Sequence, residues 1–341
     1  MRLGVLTGGG DCPGLNPALR AVVMRAMDYG DECIGIIAGW AGLAKNDTRP
    51  LGLAEVEDII SRGGTILESS RTNPFKRDED LEATLRNIDA LKLDVLVALG
   101  GEDTLGVAHK LSKLGVKAVG IPKTMDNDLN RTDYTFGFDS AAAVATDAAD
   151  RLRDTARSHR RVMVLEVMGR HAGWVALQAG VAGGADWILI PEEPLSLEEI
   201  CDHLMKLRAR GRNHALIVAS EGVEITEAEH MATTADDFGH VILRERGVGE
   251  FIAKEVEERT GFESRLAVLG HIVRGGAPTN FDRVLATRLG IKAVDLAHEG
   301  KFNYMASLTN NQFIGVPLED AVSELKTVPH ELYAEIRTLF K

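Results

Sequence analysis

Two short polar clusters, each directly after an apolar run, hold the residues best suited to chemistry in this sequence. The first, GGEDT, spans 100–104, and the second, PKTMDND, spans 122–128. Short apolar runs bounded by glycine are typical of buried parallel strands, and open α/β sheets bind ligands at the carboxyl ends of such strands. Two carboxylates in each cluster therefore predict a site for a metal ion and for proton transfer.

The same residues also have a purely structural interpretation. Asp103 and Thr104 are good helix N-cap residues, and Asn127-Asp128 suits a turn. Either cluster alone fits this interpretation as well as a catalytic one. Two clusters in register on neighbouring strand ends favour the catalytic interpretation.

A glycine-rich turn, TGGGDCPG at 7–14, lies between the first predicted strand and a helix that starts near Asn16. Backbone N–H groups in such a turn, beside the positive end of a helix, can cradle phosphate. The turn has neither the Gly-Lys-Ser/Thr of a P-loop nor the G-x-G-x-x-G of dinucleotide-binding proteins. Taken alone, it is more simply interpreted as a tight strand-to-helix connection.

Cationic side chains gather in the polar loop 69–77, which holds Arg71, Lys76 and Arg77. One arginine in a loop is usually solvated surface, but three cations together in a chain of net charge −12 predict a local anion site. Arginine suits bidentate recognition of phosphate. Other polar residues stand near predicted strand ends: Arg161, Gly169, Arg170, Glu221, Arg265, His271 and Arg274. The whole set suits phosphoryl transfer, which depends on positioning and charge neutralisation.

Composition limits the class of protein. The 341 residues suffice for two lobes with their own cores, and 45% hydrophobic with 26% charged residues is ordinary for a soluble globular protein. The net charge of −12 argues against a nucleic-acid or anionic-membrane surface. Aromatic residues make up only 5% of the chain, so no stacking platform for single strands is expected.

Targeting and cysteine signals are sparse. Cys12, Cys33 and Cys201 have neither the number nor the spacing of a disulfide framework or a zinc site. The first two residues lead directly into an apolar strand without a signal peptide, and no apolar stretch is long enough to span a bilayer. We expect a cytoplasmic protein that binds neither membranes nor nucleic acid.

Strand and helix patterns alternate along the chain, which predicts an α/β fold with parallel sheets and right-handed crossovers. The strands are too many for one sheet and no linker separates them, so two interleaved lobes are expected. The predicted lobes are 1–138 plus about 275–320, and 139–274 plus about 321–341. A short helix at 56–61 and a late hairpin with Asn310-Asn311 at its turn are also predicted.

Taken together, the motifs resemble those of the 6-phosphofructokinase family over essentially the whole chain. The matching motifs are LTGGGD at 6–11, GGEDT at 100–104, PKTMDND at 122–128, MGR at 168–170 and GHIVRGG at 270–276. The resemblance implies the phosphofructokinase fold, with two Rossmann-like lobes, the first for the phosphoryl donor and the second for the sugar phosphate. It also implies reversible, glycolytic phosphoryl transfer to the 1-hydroxyl of fructose 6-phosphate, giving fructose 1,6-bisphosphate.

The resemblance also implies residue roles. Asp126 is the base, Asp128 supports it, Arg71 stabilises the moving phosphoryl group, and Glu102 binds Mg²⁺. The donor is expected at Gly10, Asp103, Thr104 and Lys123. The sugar phosphate is expected at Thr124, Met125, Asp126, Met168, Gly169, Arg170, Glu221, His271 and Arg274, with Arg170 also counted as catalytic. Arg161 and Arg265 are expected to come from a neighbouring subunit, which implies shared sites and a homo-oligomer, by resemblance a homotetramer.

Two positions bear on the phosphoryl donor. Family members that use ATP usually have glycine at the positions of Asp103 and Lys123, whereas those that use pyrophosphate have Asp and Lys, as here. Asp103 adds volume and negative charge where an α-phosphate would lie, and Lys123 can neutralise charge on pyrophosphate. A buried like-charge contact between Asp103 and an α-phosphate would cost on the order of several kcal/mol. Pyrophosphate is therefore the expected donor.

One position departs from the family pattern, and other functions remain open. The family usually has Asp at the position of Glu102; Glu can still bind Mg²⁺ but is longer by one methylene, and actinobacterial-type members share it. The first alternative is an ATP-dependent 6-phosphofructokinase that tolerates Asp103. The second is a catalytically silent regulatory or binding subunit, against which the presence of Asp126, Asp128 and Arg71 argues. A dinucleotide-dependent dehydrogenase is the least supported.

Overall fold

A computed structural model describes residues 1–225 and 247–341, and these form two compact units. The first unit comprises Met1–Ser140 and Arg274–Leu325. The second comprises 141–225, 247–273 and Lys326–Lys341. Most of the polar segment 224–240, for which no secondary structure was predicted, lies outside the described residues.

The chain alternates strands and helices as the sequence predicts. The strands are β1 (Arg2–Thr7), β2 (Glu32–Ile36), β3 (Thr48–Leu51), β4 (Val95–Gly100), β5 (Ala118–Pro122), β6 (Val162–Val167), β7 (Trp187–Leu189), β8 (Ala215–Ser220), β9 (Ser264–Val268), β10 (Tyr304–Thr309) and β11 (Gln312–Pro317). The helices are α1 (Leu15–Asp28), α2 (Gly39–Lys45), α3 (Leu53–Val56), α4 (Asp78–Ala90), α5 (Glu102–Ser112), α6 (Phe138–His159), α7 (Trp174–Ala182), α8 (Leu197–Ala209), α9 (Val248–Thr260), α10 (Asn280–His298), α11 (Leu318–Ala321) and α12 (His330–Arg337).

The first unit is built on a seven-stranded sheet in the order β11-β10-β5-β4-β1-β2-β3. The five inner strands are parallel, and β3 and β11 pair antiparallel at the two edges. All six residues of β4 are buried, because a parallel strand at the centre of such a sheet has both faces covered. The chain passes from β1 to β2 on one side and reaches β4 on the other, so the loops after β1 and β4 flank a topological switch point. Ligands bind at such switch points in open α/β sheets.

The second unit is built on four parallel strands in the order β7-β8-β6-β9. The central strands β6 and β8 are almost wholly buried. The α/β fold with mostly parallel sheets is therefore confirmed. Among the described residues, no helix is both long and apolar enough to cross a membrane.

The unit boundaries fall close to the predicted lobe boundaries. The sequence placed the crossings after 138, 274 and about 320; in the structure they follow 140, 273 and 325. The hairpin prediction is confirmed, because β10 pairs with β11 and both Asn310 (φ 50°) and Asn311 (φ 62°) adopt the left-handed conformation that a two-residue turn requires.

The prediction of a helix at 56–61 is wrong. The helix there is α3, Leu53–Val56, because the Glu55 carboxylate accepts a hydrogen bond from the Gly52 N–H (2.7 Å) and starts the helix earlier. The elements α2 and β3 were not predicted. In β3, Pro50 hides the strand signal, since proline is tolerated only at an edge such as this one.

Candidate active site

The two polar clusters of the sequence lie side by side at the end of the first sheet. Gly100, the last residue of β4, pairs with Pro122, the last residue of β5. The Lys123 N–H extends this ladder by donating to the Gly100 carbonyl oxygen at 3.0 Å. The predicted register of the two clusters on adjacent strands is confirmed.

The first cluster begins helix α5, but not through the residues that the structural interpretation named. Gly101 is the N-cap, and Glu102 and Asp103 follow in the first turn, so neither Asp103 nor Thr104 is a cap. Their carboxylates stand near the positive end of the helix, which favours negative charge there. Thr104 is 2% exposed and packs against Gly8 and Gly100. An added Cβ would lie 2.6 Å from the Thr104 Oγ1 at Gly8 and 2.2 Å from the Thr104 Cβ at Gly100.

A buried lysine joins the second cluster to the glycine-rich turn. Lys123 is 4% exposed, and its Nζ donates to the Gly10 carbonyl oxygen at 2.6 Å. Burial lowers the pKa of Lys123, since a charged ammonium loses its hydration there. Lys123 thus places its amino group at the glycine-rich turn, which was predicted to bind phosphate.

Arg274 lies at the same turn. Its guanidinium donates to the Asp11 carbonyl oxygen at 3.1 Å and covers Gly10, where an added Cβ would lie 2.2 Å from the guanidinium. The sequence placed Arg274 in the second lobe; the structure places it in the first unit, because the chain crosses one residue earlier than predicted.

The turn and the cationic loop together line an open cleft of about 470 Å³. The lining residues are Gly9, Gly10, Asp11, Thr65, Glu68, Ser69, Ser70 and Arg71. The Ser69 hydroxyl donates to the Gly9 carbonyl oxygen (2.5 Å), and the Gly9 N–H donates to the Ser70 carbonyl oxygen (3.0 Å). Gly10 and Arg71, predicted separately, therefore share one cleft.

Some residues of this cleft were missed in the sequence, and one cation that was predicted at the site does not line it. Thr65, Glu68 and Ser69 were not predicted to line a site, and their polar character beside Arg71 was the only signal. Arg77, one of the three cations noted in the loop, forms an ion pair with Asp80 (2.8 Å).

The second cluster is a tightly fixed turn. Asn127 has φ 53°, and its side-chain oxygen accepts the Thr135 N–H at 3.0 Å. The Thr135 hydroxyl donates to the Thr124 carbonyl oxygen (2.6 Å), and the Thr124 hydroxyl accepts the Asp126 N–H (3.1 Å). Met125 is 1% exposed, so its side chain belongs to the core and only its backbone can face a ligand. The turn holds Asp126 in a defined orientation.

The two carboxylates of this turn differ in their surroundings from ordinary surface aspartates. Burial, reinforced by the negative charge of Asp126, raises the pKa of Asp128 to about 7. Two acidic groups that interact in this way release their protons as a pair. Near neutral pH the pair therefore holds one proton in part of the molecules.

In the second unit the predicted sugar-phosphate residues gather at the carboxyl ends of neighbouring strands. Val167 of β6 pairs with Ser220 of β8, so Gly169 and Arg170 follow one strand and Glu221 the next. The Gly169 carbonyl oxygen accepts the Ser220 hydroxyl at 2.6 Å. The other two predicted residues nearby are Met168, 8% exposed, and His271, exposed in a turn that follows the adjacent strand β9.

Arg161 and Arg265 lie elsewhere. Arg161 directly precedes β6, and both guanidinium groups form ion pairs with Glu263, Arg161 at 2.7 Å. Because β6 has six residues at 3.3 Å each, Arg161 and Arg170 are separated by roughly 20 Å of strand. Arg161 and Arg170 of one chain therefore do not bind the same small ligand.

A metal ion would find few ligands from the protein alone. The described residues contain no group of three or more His, Cys, Asp and Glu side chains arranged to hold a metal ion. Mg²⁺ is usually held by one or two carboxylates together with substrate phosphates and water. Glu102, at the first turn of α5 beside the second cluster, fits that pattern.

Comparisons with known proteins agree with this geometry. Residues 2–297 match the family model described as phosphofructokinase. Proteins named pyrophosphate–fructose 6-phosphate 1-phosphotransferase from Dictyoglomus thermophilum (54% identical, covering 100% of this chain and 99% of the relative) and Amycolatopsis methanolica (53%, covering 100% of both) are similar. A protein named ATP-dependent 6-phosphofructokinase 2 from Streptomyces coelicolor is 48% identical over 100% of both chains.

The solved structures agree on the fold. A pyrophosphate-dependent phosphofructokinase from Marinobacter aquaeolei has a TM-score of 0.84 at 22% identity, covering 100% of this chain and 92% of that one. With the family model over most of the chain and full-length relatives near 50% identity, this chain belongs to the phosphofructokinase family.

Proposed function

We propose that this protein transfers a phosphoryl group from pyrophosphate to the 1-hydroxyl of fructose 6-phosphate, giving fructose 1,6-bisphosphate. The observation that carries the choice of donor is the buried Lys123 ammonium, 2.6 Å from the Gly10 carbonyl oxygen, with Asp103 in the first turn of α5. The names of the relatives at 53–54% identity agree with this donor, and the relative named as ATP-dependent is less similar, at 48%.

The donor site is proposed at the cleft of the first unit. Pyrophosphate is small and highly charged, so it needs cations close to the backbone N–H groups of the turn rather than a pocket for a base. Lys123 and Arg274 supply positive charge at Gly10, and Arg71 supplies it on the opposite loop. Asp103 contributes negative charge at the helix start, where a longer nucleotide would have to pass.

Proton transfer is proposed for the turn after β5. Asp126 takes the proton of the attacking hydroxyl, because Thr124 and Asn127 fix its backbone on both sides and Asp128 adds a second negative charge beside it. Arg71 then stabilises charge on the moving phosphoryl group. Mg²⁺ held at Glu102 would neutralise phosphate oxygens of the bound donor.

The sugar phosphate is proposed to bind at the strand ends of the second unit. Gly169 and Arg170 follow β6, Glu221 follows β8, and His271 follows β9, so three adjacent strands present polar groups at one edge. The arginine suits the 6-phosphate, and Glu221 suits sugar hydroxyls.

The pH dependence of turnover follows from the Asp126–Asp128 pair. Because the pKa of Asp128 is raised to about 7, the pair carries a proton below that pH and both groups are ionised above it. We expect kcat for fructose 1,6-bisphosphate formation to rise as the pH passes through about 7 and then to level off. Asp128→Asn keeps the shape of the side chain but removes the negative charge that strengthens Asp126 as a base. The rise in kcat should therefore occur at lower pH in this variant. If kcat of Asp128→Asn rises at the same pH as in the wild type, the Asp126–Asp128 pair is not the cause of the pH dependence.

We also propose a homo-oligomer with shared sites, a tetramer by family analogy. Its support is the position of Arg161 and Arg265 near the amino ends of their strands, where they cannot reach the ligand held beyond the carboxyl ends in their own chain. Mixing Asp126→Ala chains with Arg161→Ala/Arg265→Ala chains should restore activity, because one class of mixed site then has an intact base and intact arginines. Native mass spectrometry would verify mixed assemblies. Activity no greater than the sum of the separate variants in such assemblies would contradict shared sites.

The experiment that tests the proposed function supplies fructose 6-phosphate and Mg²⁺ with either pyrophosphate or ATP and measures fructose 1,6-bisphosphate. Turnover with pyrophosphate and little with ATP is the expected result. Turnover with ATP alone would retain the family but replace the donor. Turnover with neither would favour a silent subunit.

A further inference from the structure

Asn16 is a wholly buried polar residue whose side chain spans two segments of the first unit. It is the second residue of α1, which begins directly after the glycine-rich turn, and it is 0% exposed. Its amide nitrogen donates to the carbonyl oxygens of Arg62 (3.0 Å) and Gly63 (3.2 Å), and its oxygen accepts the Ile66 N–H (2.9 Å). One side chain therefore fixes the backbone of 62–66 through three hydrogen bonds.

The segment that Asn16 holds leads directly into the wall of the cleft. Thr65 lines the cleft, and five residues after Ile66 the chain reaches Arg71, whose neighbours Ser69 and Ser70 bond to Gly9. The start of the segment packs closely on the backbone at Gly276, because a Cβ on Gly63 would lie 2.2 Å from the Gly276 carbonyl oxygen. The loop is thus held at one end by Asn16 of α1 and at the other by the hydrogen bonds of Ser69 and Ser70 with Gly9.

We propose that Asn16 is a positioning residue for the phosphoryl donor: it fixes the loop 62–71, and with it Arg71, at the correct distance from the glycine-rich turn. This inference rests on the proposed function in one respect, that the cleft holds the donor. Asn16 does not line the cleft; it acts through the loop.

Only an asparagine at this position meets all three requirements of the segment. Aspartate can accept from Ile66 but cannot donate to the two carbonyl oxygens, and alanine does neither. A carbonyl group left unpaired in the interior is unfavourable, so the segment would move toward water to satisfy it. A displacement of about 1 Å in a residue that aligns reacting groups costs about 100-fold in rate.

The chain offers a matched control. Asn87 on α4 is 9% exposed, and its amide nitrogen also donates to two consecutive carbonyl oxygens, those of Leu43 (2.8 Å) and Ala44 (3.0 Å). Asn87 lies in the same unit but does not line the cleft. Asn87→Ala therefore removes a comparable pair of hydrogen bonds without changing any contact of the loop 62–71.

The first measurement is steady-state kinetics of Asn16→Ala, Asn16→Asp and Asn87→Ala below their melting temperatures, with each substrate varied in turn. We expect both Asn16 variants to lose about 100-fold in kcat/KM for pyrophosphate, while KM for fructose 6-phosphate changes by less than about threefold. Asn87→Ala should keep both values. Because kcat is common to both substrates, the donor-specific part of the effect is the rise in KM for pyrophosphate relative to KM for fructose 6-phosphate. A KM for pyrophosphate that rises no more than KM for fructose 6-phosphate, or the same difference between the two KM values in Asn87→Ala, would overturn the proposal.

The second measurement needs no turnover. In hydrogen exchange, peptides covering 62–71 should exchange faster in Asn16→Ala and Asn16→Asp than in the wild type, while peptides within α4 and α5 keep their rates. Wild-type exchange at 62–71 in either folded Asn16 variant would overturn the proposal. Should Asn16→Ala fail to fold, Asn16→Asp, which keeps the volume and one hydrogen bond, carries both tests.

The two proposals can fail separately. If the wild type uses ATP and not pyrophosphate, the proposed donor is wrong, but the split between KM for ATP and KM for fructose 6-phosphate still tests Asn16. If the wild type uses pyrophosphate and the Asn16 variants change KM for pyrophosphate no more than KM for fructose 6-phosphate, the proposed function stands and the proposed role of Asn16 is wrong.

Discussion

Replacing Asp126 by alanine is expected to lower kcat by a factor of about 10² to 10⁴, the range by which a positioned general base accelerates proton transfer. The turn that carries Asp126 is held by Thr124, Asn127 and Thr135, so the substitution removes the carboxylate without removing the turn's own hydrogen bonds. Fructose 6-phosphate should still bind with nearly wild-type affinity, because its proposed phosphate site lies in the second unit. Single-turnover kinetics and calorimetric titration with fructose 6-phosphate measure the two quantities.

Asp89→Ala is a suitable control for that variant, since Asp89 is an exposed aspartate on α4 of the same unit. It should keep wild-type kcat. Turnover near the wild-type rate in Asp126→Ala would remove Asp126 from the role of base. A loss of sugar-phosphate affinity in parallel with kcat would instead make Asp126 a binding residue.

The second large effect is expected from Asp103→Gly combined with Lys123→Gly. Lys123→Gly removes a buried ammonium and its 2.6 Å hydrogen bond to Gly10, so kcat/KM for pyrophosphate should fall by about 10² to 10³. Asp103→Gly removes the negative charge at the start of α5 and so relieves a like-charge contact with ATP that costs on the order of several kcal/mol. We therefore expect kcat/KM for ATP to rise on the order of 100-fold. Both values come from steady-state rates with each donor.

Two further variants separate charge from volume and from general effects of glycine. Asp103→Asn keeps the volume, so a gain in ATP use by this variant assigns the discrimination to charge. Lys113→Gly, at the exposed C-cap of α5, should change neither donor's kcat/KM, because glycine is well tolerated at a helix end. A folded double variant that gains no ATP turnover would refute this explanation of donor choice.

Much of the first unit's site was predictable because it follows from a local rule. An apolar run of buried-strand length, followed by glycine and then carboxylates, is visible in the chain, and parallel strands bring such ends to one edge. The pairing of Gly100 with Pro122 realises that rule. The predictions failed where local signals conflict: Pro50 concealed an edge strand, and the hydrogen bond between Glu55 and Gly52 shifted a helix start.

The α/β class, the carboxylates at the strand ends and the presence of Asp103 and Lys123 could be recognised in the amino-acid sequence. The burial of Lys123 against Gly10, the position of Arg274 at the same turn and the hydrogen bond between Asn16 and the Ile66 N–H became visible only in the folded chain. Strand and helix patterns repeat over a few residues, whereas these contacts join residues 113, 263 and 50 positions apart, and their partners are backbone groups that every residue carries.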